Sequence, residues 1–143
     1  MTNDYRIRVL YVEDNADSFD MLKVMLESAG IDLVSAGSIA EALAQAGREK
    51  FDLYLLDSGL PDGSGVNLCR TLRSTDPNIP ILFYSGSGYV EEIKTGLSAG
   101  ADGYILKPHS DKLADLIAQL VTSRRLQHSV VASLLVVTAA VVA

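Results

Sequence analysis

Residues 51–68 read FDLYLLDSGLPDGSGVNL, an apolar run that ends on an acid and passes at once into turn residues. A short, uninterrupted apolar run is typical of a parallel strand that helices cover on both faces. Asp57 therefore stands at the carboxyl end of a buried strand, the edge at which open α/β sheets bind their ligands. Taken alone, the stretch fits equally well an ordinary aspartate in a solvated turn.

Strand and helix patterns alternate five times along the chain. The predicted strands are residues 7–12, 31–35, 53–56, 81–84 and 103–106. Each is followed by apolar residues at helical spacing, and Ser38 and Ser64 are placed to cap the second and third helices. Gly30 and Gly100 are placed to end the first and fourth. This alternation predicts an α/β fold with a parallel sheet, because right-handed crossovers put helices on both of its faces.

The composition predicts one acidic domain. The chain has 143 residues, a formal net charge of −6 and a pI near 4.7. This balance argues against a nucleic-acid partner, because binding phosphates needs clustered Lys and Arg, and it favours a site that collects a cation. The single cysteine, Cys69, lies in a helical pattern that predicts core packing. The amino terminus has no signal-peptide pattern, so we expect a reducing, cytoplasmic location.

Polar side chains follow four of the predicted strands at the point where each strand ends. Glu13 and Asp14 end the first strand, Asp57 the third, Ser85 the fourth and Lys107 the fifth. Close carboxylates repel one another, and a divalent cation or an ammonium group relieves that repulsion. Beside such neutralising groups, an aspartate can attack an activated phosphorus to form an acyl phosphate. Considered alone, Glu13 and Asp14 could instead serve only to stabilise the amino terminus of the first helix electrostatically.

These residues carry a family resemblance. The set of motifs consists of Glu13-Asp14, Asp57 followed by Pro61 and Gly65, Ser85-Gly86, and ADGYILKP at residues 101–108. Over residues 6–123 the chain resembles the receiver domain of two-component response regulators, in the single-domain form of the chemotaxis regulator. The resemblance implies a doubly wound, five-stranded parallel sheet of order 2-1-3-4-5, a flavodoxin-like three-layer sandwich.

The resemblance also implies roles for individual residues. Asp57 is the phosphoacceptor, and Lys107 contacts the phosphoryl group. The implied Mg²⁺ ligands are Glu13, Asp14, Asp57 and the backbone carbonyl of Gly59. Ser85 and Tyr104 form the switch, and the bond between Lys107 and Pro108 is typically cis. The implied partners are a sensor histidine kinase or a histidine phosphotransfer protein and a downstream protein target. No enzymatic activity is expected beyond the domain's own phosphorylation and dephosphorylation.

Two other functions remain open from the sequence. An aspartyl-phosphate phosphohydrolase would need a second acid two residues after its nucleophile, where Gly59 stands. A flavodoxin-like module that binds a ligand without phosphorylation would leave the convergence of Ser85, Lys107 and the acids unexplained. By the resemblance, the small residues Gly59 and Ser87 flank the phosphoryl group, which predicts a short-lived acyl phosphate.

The tail differs from the rest of the chain. We divide the sequence into a receiver domain, residues 1–123, and an apolar tail, residues 124–143, which we expect to be helical. After Arg125 the chain has no Asp, Glu, Lys or Arg. A helix apolar all round must be buried. The seam of Val130, Leu134, Val137 and Val141 would suit a homodimer, and the length is borderline for a membrane contact. The start of a further domain is a third possibility.

Overall fold

The computed structural model describes residues 6–107, 109–129 and 140–142, and a parallel sheet forms its central layer. The strands are β1 Ile7–Val12, β2 Ile31–Ala36, β3 Leu53–Leu56, β4 Ile81–Ser85, β5 Gly103–Leu106 and β6 Ala140–Val142. Their order is β2-β1-β3-β4-β5-β6, and every neighbouring pair is parallel. The predicted order 2-1-3-4-5 is confirmed, with a sixth strand added at the edge of β5.

Five α-helices lie between the strands in the part of the chain that the structure describes. They are α1 Ala16–Glu27, α2 Ile39–Arg48, α3 Gly65–Thr75, α4 Val90–Ser98 and α5 Leu113–Ser129. A small hairpin of Gly59–Leu60 and Gly63–Ser64 precedes α3, outside the main sheet. Both predicted caps are confirmed, because the hydroxyls of Ser38 and Ser64 accept backbone N–H groups in the first turns of α2 and α3.

Alternate residues along each strand enter two different cores, as the two-residue repeat of a strand requires. Tyr11 and Leu55 point to the face covered by α1 and α5, whereas Leu10 and Leu56 point to the face covered by α2, α3 and α4. Cys69 is buried in the second core, as predicted. Burial raises the pKa of its thiol to about 11, which suits packing rather than reactivity.

The apolar stripe of α1 is only partly buried. Leu22 and Leu26 face the core, but Met21, another of the apolar residues at helical spacing after β1, is 75% exposed. The stripe is wider than the strip of helix that touches the sheet. Sequence periodicity therefore overstated the buried face of this helix.

The tail returns to the sheet. α5 runs through Ser129, so the predicted division after residue 123 falls within a helix. Residues 140–142 form β6 rather than the predicted helix, and Tyr104 of β5 is in register with Val141. Valine favours strands, and pairing satisfies backbone groups that the edge of β5 would otherwise expose. Residues 130–139, with most of the predicted pairing seam, lie outside the described residues. None of the helices in residues 6–107 and 109–129 combines the length and the apolar character of a membrane span.

Candidate functional site

The sheet brings the predicted site residues to one edge. Backbone hydrogen bonds continue the parallel ladders one residue past the strand ends: Glu13 N–H donates to Ala36, Asp57 N–H to Val12 and Lys107 N–H to Ser85, over 2.8–3.0 Å. Each functional side chain therefore leaves a fixed backbone position. The predicted cis bond between Lys107 and Pro108 lies outside the described residues.

Three carboxylates form a cluster at this edge. One oxygen from each of Glu13, Asp14 and Asp57 lies within 4.8 Å of the others. Glu13 is buried, Asp57 is half-buried and Asp14 is exposed, so the cluster opens to solvent on one side. An all-oxygen donor set with one open side fits a hard divalent cation such as Mg²⁺, which keeps part of its water shell. The carbonyl of Gly59, in the exposed hairpin, stays a predicted ligand.

Lys107 pairs with Glu13. Its Nζ donates to Glu13 Oε1 at 2.6 Å and lies 5.5 Å from the centre of the Tyr84 ring. Burial by itself would raise the pKa of Glu13. Hydrogen bonds from Lys107 and from the backbone amide of Asn15 outweigh burial and hold the pKa of Glu13 below its usual range. The deepest carboxylate of the cluster is therefore ionised and matched by an ammonium.

Asp57 lies in the opposite electrostatic situation. Burial and the neighbouring charge of Glu13 raise the pKa of Asp57 above its ordinary value, and Lys107 opposes them without cancelling them. Negative charge on Asp57 is therefore costly beside the ionised Glu13. A cation bound in the cluster would relieve that cost.

Tyr11 belongs to the site although the sequence did not single it out. Its hydroxyl donates to Glu13 Oε1 over 3.3 Å. Burial, followed by the charge of Glu13, raises the pKa of Tyr11, so the phenol stays protonated and able to donate. The signal was present in the sequence, because residues two apart on an extended strand share one face.

Ser85 and Tyr104, the predicted switch pair, are joined through Ser87. The Ser85 hydroxyl accepts the Ser87 backbone N–H over 3.2 Å, and the Ser87 carbonyl accepts the Tyr104 hydroxyl over 2.9 Å. Tyr104 is buried and stacks on Phe83, with ring centres 5.4 Å apart. Ser85 also meets the hydroxyl of Ser58 at 2.6 Å, a contact that nothing in the local sequence pattern indicated.

Sequence relatives that are response regulators or transcriptional regulators match most of the chain. DNA-binding response regulator MtrA of Mycobacterium leprae is 36% identical over 115 residues, 80% of this chain and 50% of the relative. The probable transcriptional regulatory protein TcrX of Mycobacterium tuberculosis is 36% identical over 104 residues, 73% of this chain and 44% of the relative. Cell cycle transcriptional regulator CtrA of Caulobacter vibrioides is 35% identical over 108 residues, 75% and 47%. The chain spans about half the length of the curated relatives it matches.

The expectation that excluded a nucleic-acid partner is wrong. It is overturned by relatives that are DNA-binding response regulators and transcriptional regulators. The physical reason is that net charge describes only the residues over which it is summed. Those residues match about half of each relative, so an acidic pI for this stretch cannot exclude a nucleic-acid partner.

Solved structures share both the fold and part of the sequence. The CheY-like response regulator receiver domain protein of Methanospirillum hungatei superimposes with a TM-score of 0.79 and 30% identity, covering 85% of this chain and 98% of that chain. The receiver domain of the Francisella response regulator 1452 gives a TM-score of 0.76 and 28% identity, covering 81% and 97%.

The family model of the response regulator receiver domain matches residues 9–120. That span contains most of β1, all of β2 to β5, the acidic cluster, Ser85, Tyr104 and Lys107. Sheet order, site geometry and sequence relatives agree on one family. The chain belongs to the receiver domains of two-component response regulators.

Proposed function

We propose that this domain accepts a phosphoryl group on Asp57 from a phosphohistidine donor, with Mg²⁺ held by Glu13, Asp14 and Asp57. The observation that carries the proposal is the cluster of three carboxylates with Lys107 beside it, 2.6 Å from Glu13. The alternatives, a phosphohydrolase and a ligand-binding module without phosphorylation, use these groups less completely. A cytoplasmic location remains our prediction from the sequence.

The transfer is a displacement at phosphorus. A carboxylate oxygen of Asp57 forms a bond to phosphorus while the bond from phosphorus to the donor's imidazole nitrogen breaks, and the nitrogen keeps the electron pair. Bound Mg²⁺ would supply charge neutralisation for the phosphoryl oxygens. Lys107 adds a positive charge at the same edge. The hydrogen bond from the backbone N–H of Asp57 to the carbonyl of Val12 holds the nucleophile in place. The domain's own chemistry then consists of gaining and losing this group.

The signal leaves the site through Ser85 and Tyr104. A phosphoryl oxygen on Asp57 would attract the Ser85 hydroxyl, and the Ser87 backbone links that hydroxyl to Tyr104 beneath α4. The surface of α4 and β5 would change for a downstream target. The relatives that regulate transcription support transcriptional control as one output of the protein to which the domain belongs.

Intact-mass measurement tests the proposal. With acetyl phosphate and Mg²⁺, the wild-type chain should gain one phosphoryl group that hydroxylamine removes, and a chelator should prevent the gain. Asp57→Asn keeps the shape of the side chain but lacks the nucleophilic oxygen, so it should gain none. Asp20→Asn, at an exposed position of α1, is the matched control and should label like wild type. Equal labelling of Asp57→Asn would remove the assignment.

A further inference from the structure

Ser58 directly follows Asp57, the proposed phosphoacceptor, and is hydrogen-bonded to Ser85, the serine of the proposed switch. Its Oγ lies 2.6 Å from Ser85 Oγ, at the short end of the range for hydrogen bonds between hydroxyls. Ser85 is 1% exposed, so water does not readily take the place of Ser58. Ser58 itself is only half-buried. The two hydroxyls therefore differ in how easily each finds another partner.

The hydrogen-bond inventory decides which hydroxyl donates. A serine hydroxyl has one proton to donate and two lone pairs that accept. Ser85 already accepts the Ser87 amide, and among the hydrogen bonds of the described residues the oxygen of Ser58 is the one acceptor for its proton. A buried hydroxyl proton without an acceptor is costly. By this count Ser85 is the donor of the bond and Ser58 is its acceptor.

Phosphorylation creates a competitor for the same proton. The oxygens of a phosphoryl group on Asp57 are strong acceptors, so Ser85 can bond to them only by withdrawing its proton from Ser58. The Ser87 amide, which donates to Ser85 Oγ, senses that movement, and Tyr104 is bonded to the carbonyl of the same residue.

We propose that Ser58 is a positioning residue that holds the Ser85 hydroxyl in its resting orientation. Ser58 thereby sets how readily phosphorylation shifts Ser85, and with it Ser87 and Tyr104, to the switched arrangement. This role rests on the proposed phosphorylation of Asp57. Ser58→Ala removes the competing acceptor and leaves the resting Ser85 proton unpaired. The resting arrangement loses stability while the phosphoryl-bonded one does not, so the switched population should rise roughly 2- to 10-fold at equal phosphorylation.

The backbone amide resonance of Ser87 in the full ¹⁵N-labelled chain reports the position of the Ser85 hydroxyl. Spectra are compared without donor and with acetyl phosphate and Mg²⁺, at phosphoryl occupancy matched by intact mass. The variants are Ser58→Ala, Ser58→Thr, Ser85→Ala and the Ser58→Ala/Ser85→Ala pair. Ser58→Thr keeps a hydroxyl and should behave like wild type. Ser74→Ala, which removes an exposed hydroxyl on α3, controls for hydroxyl loss in general.

Ser58→Ala should move the resting Ser87 resonance toward its phosphorylated position and increase the switched fraction. In the Ser85→Ala background the same substitution should add nothing, because Ser58 acts through Ser85. Normal phosphorylation with an unmoved Ser87 amide in Ser58→Ala would overturn the role of Ser58, as would equal shifts with and without the Ser85 hydroxyl. Failure of wild type to gain the phosphoryl mass would instead overturn the proposed function itself.

Discussion

Gly65, which ends the turn after Asp57, lies so close to the carbonyl group of Asp57 that no side chain fits at this position. A Cβ at Gly65 would lie 2.0 Å from Asp57 O, and Gly65 N–H donates to the carbonyl of Ser58 over 2.9 Å. Both contacts involve backbone atoms, which cannot rotate out of the way. Glycine at this position is therefore a steric requirement of the site.

Gly65→Ala should lower the free energy of unfolding by about 1–3 kcal/mol, because backbone must shift to admit the methyl group. Gly59→Ala is the matched control in the same turn, since a Cβ there meets no atom within 4 Å, and it should stay within about 0.5 kcal/mol of wild type. Urea unfolding of the three proteins measures both values. Equal stability of the two variants would contradict the steric account.

The open space at Gly59 also bears on the lifetime of the acyl phosphate. A larger side chain can be accommodated there, two residues after the proposed phosphoacceptor Asp57, where we expect it to hinder an attacking water. Gly59→Met should therefore slow the loss of the phosphoryl mass several-fold after donor removal. Gly47, on α2, has equally open surroundings, and the Gly47→Met variant should lose its phosphoryl group at the wild-type rate. An unchanged decay for Gly59→Met would refute shielding at this position.

At the scale of elements, the site turn is tied to the start of α2. The carboxylate of Asp62 accepts the backbone amides of Ile39 at 2.8 Å and Ala40 at 3.1 Å. These amides hold the pKa of Asp62 below its ordinary value of 3.8. Asp62 thus supplements the Ser38 cap and joins the turn after β3 to a helix that began twenty-odd residues earlier.

This capping predicts a pH-dependent contribution to stability. A carboxylate with a lowered folded-state pKa stabilises the fold above its unfolded pKa, and the contribution disappears as pH falls through the lowered value. The melting temperature of wild type should exceed that of Asp62→Asn near pH 7, and the gap should close below about pH 4. Ser38→Ala, which removes a cap of the same helix without an ionisable group, should lose about 1 kcal/mol at every pH. A gap for Asp62→Asn that did not change with pH would contradict the assignment.

At the scale of the whole molecule, β6 moves the edge of the sheet outward. β5 lies between β4 and β6. Its Tyr104 packs beneath α4, where a Cβ at Gly96 would press on the rings of Phe83 and Tyr104. The tail and the proposed switch therefore share one strand. The new edge strand, β6, has three residues against four in β5, and short edge strands offer less backbone for unwanted pairing with another chain.

Truncation after Ser129 tests the sixth strand. The amides of Gly103–Leu106 that face β6 should lose their protection from hydrogen exchange, because their partners are gone, whereas those bonded to β4 should keep it. The amides of β2, at the opposite edge, serve as the internal control. Unchanged protection along β5 in the truncated chain would show that the tail does not pair with it.

Features that depend on local chemistry were predictable from the residues alone. Alternating strand and helix periodicity predicted an α/β fold with a parallel sheet, and Ser38 and Ser64 were recognisable as caps from their positions. The resemblance to receiver domains implied the order of the five strands. The convergence of Glu13, Asp57 and Lys107 at one edge also followed, because the carboxyl ends of parallel strands must lie together. Apart from the strand order, these inferences need only the spacing of residues along the chain.

The contacts between atoms across that edge depend on tertiary packing. Lys107 bonds to Glu13 at 2.6 Å, a choice among three nearby carboxylates that the sequence left open. The contact of Ser58 with Ser85 and the return of residues 140–142 to β5 likewise had no local signature. Such contacts join residues far apart in the chain, so they depend on how the packed sheet and helices orient each side chain rather than on the pattern around it.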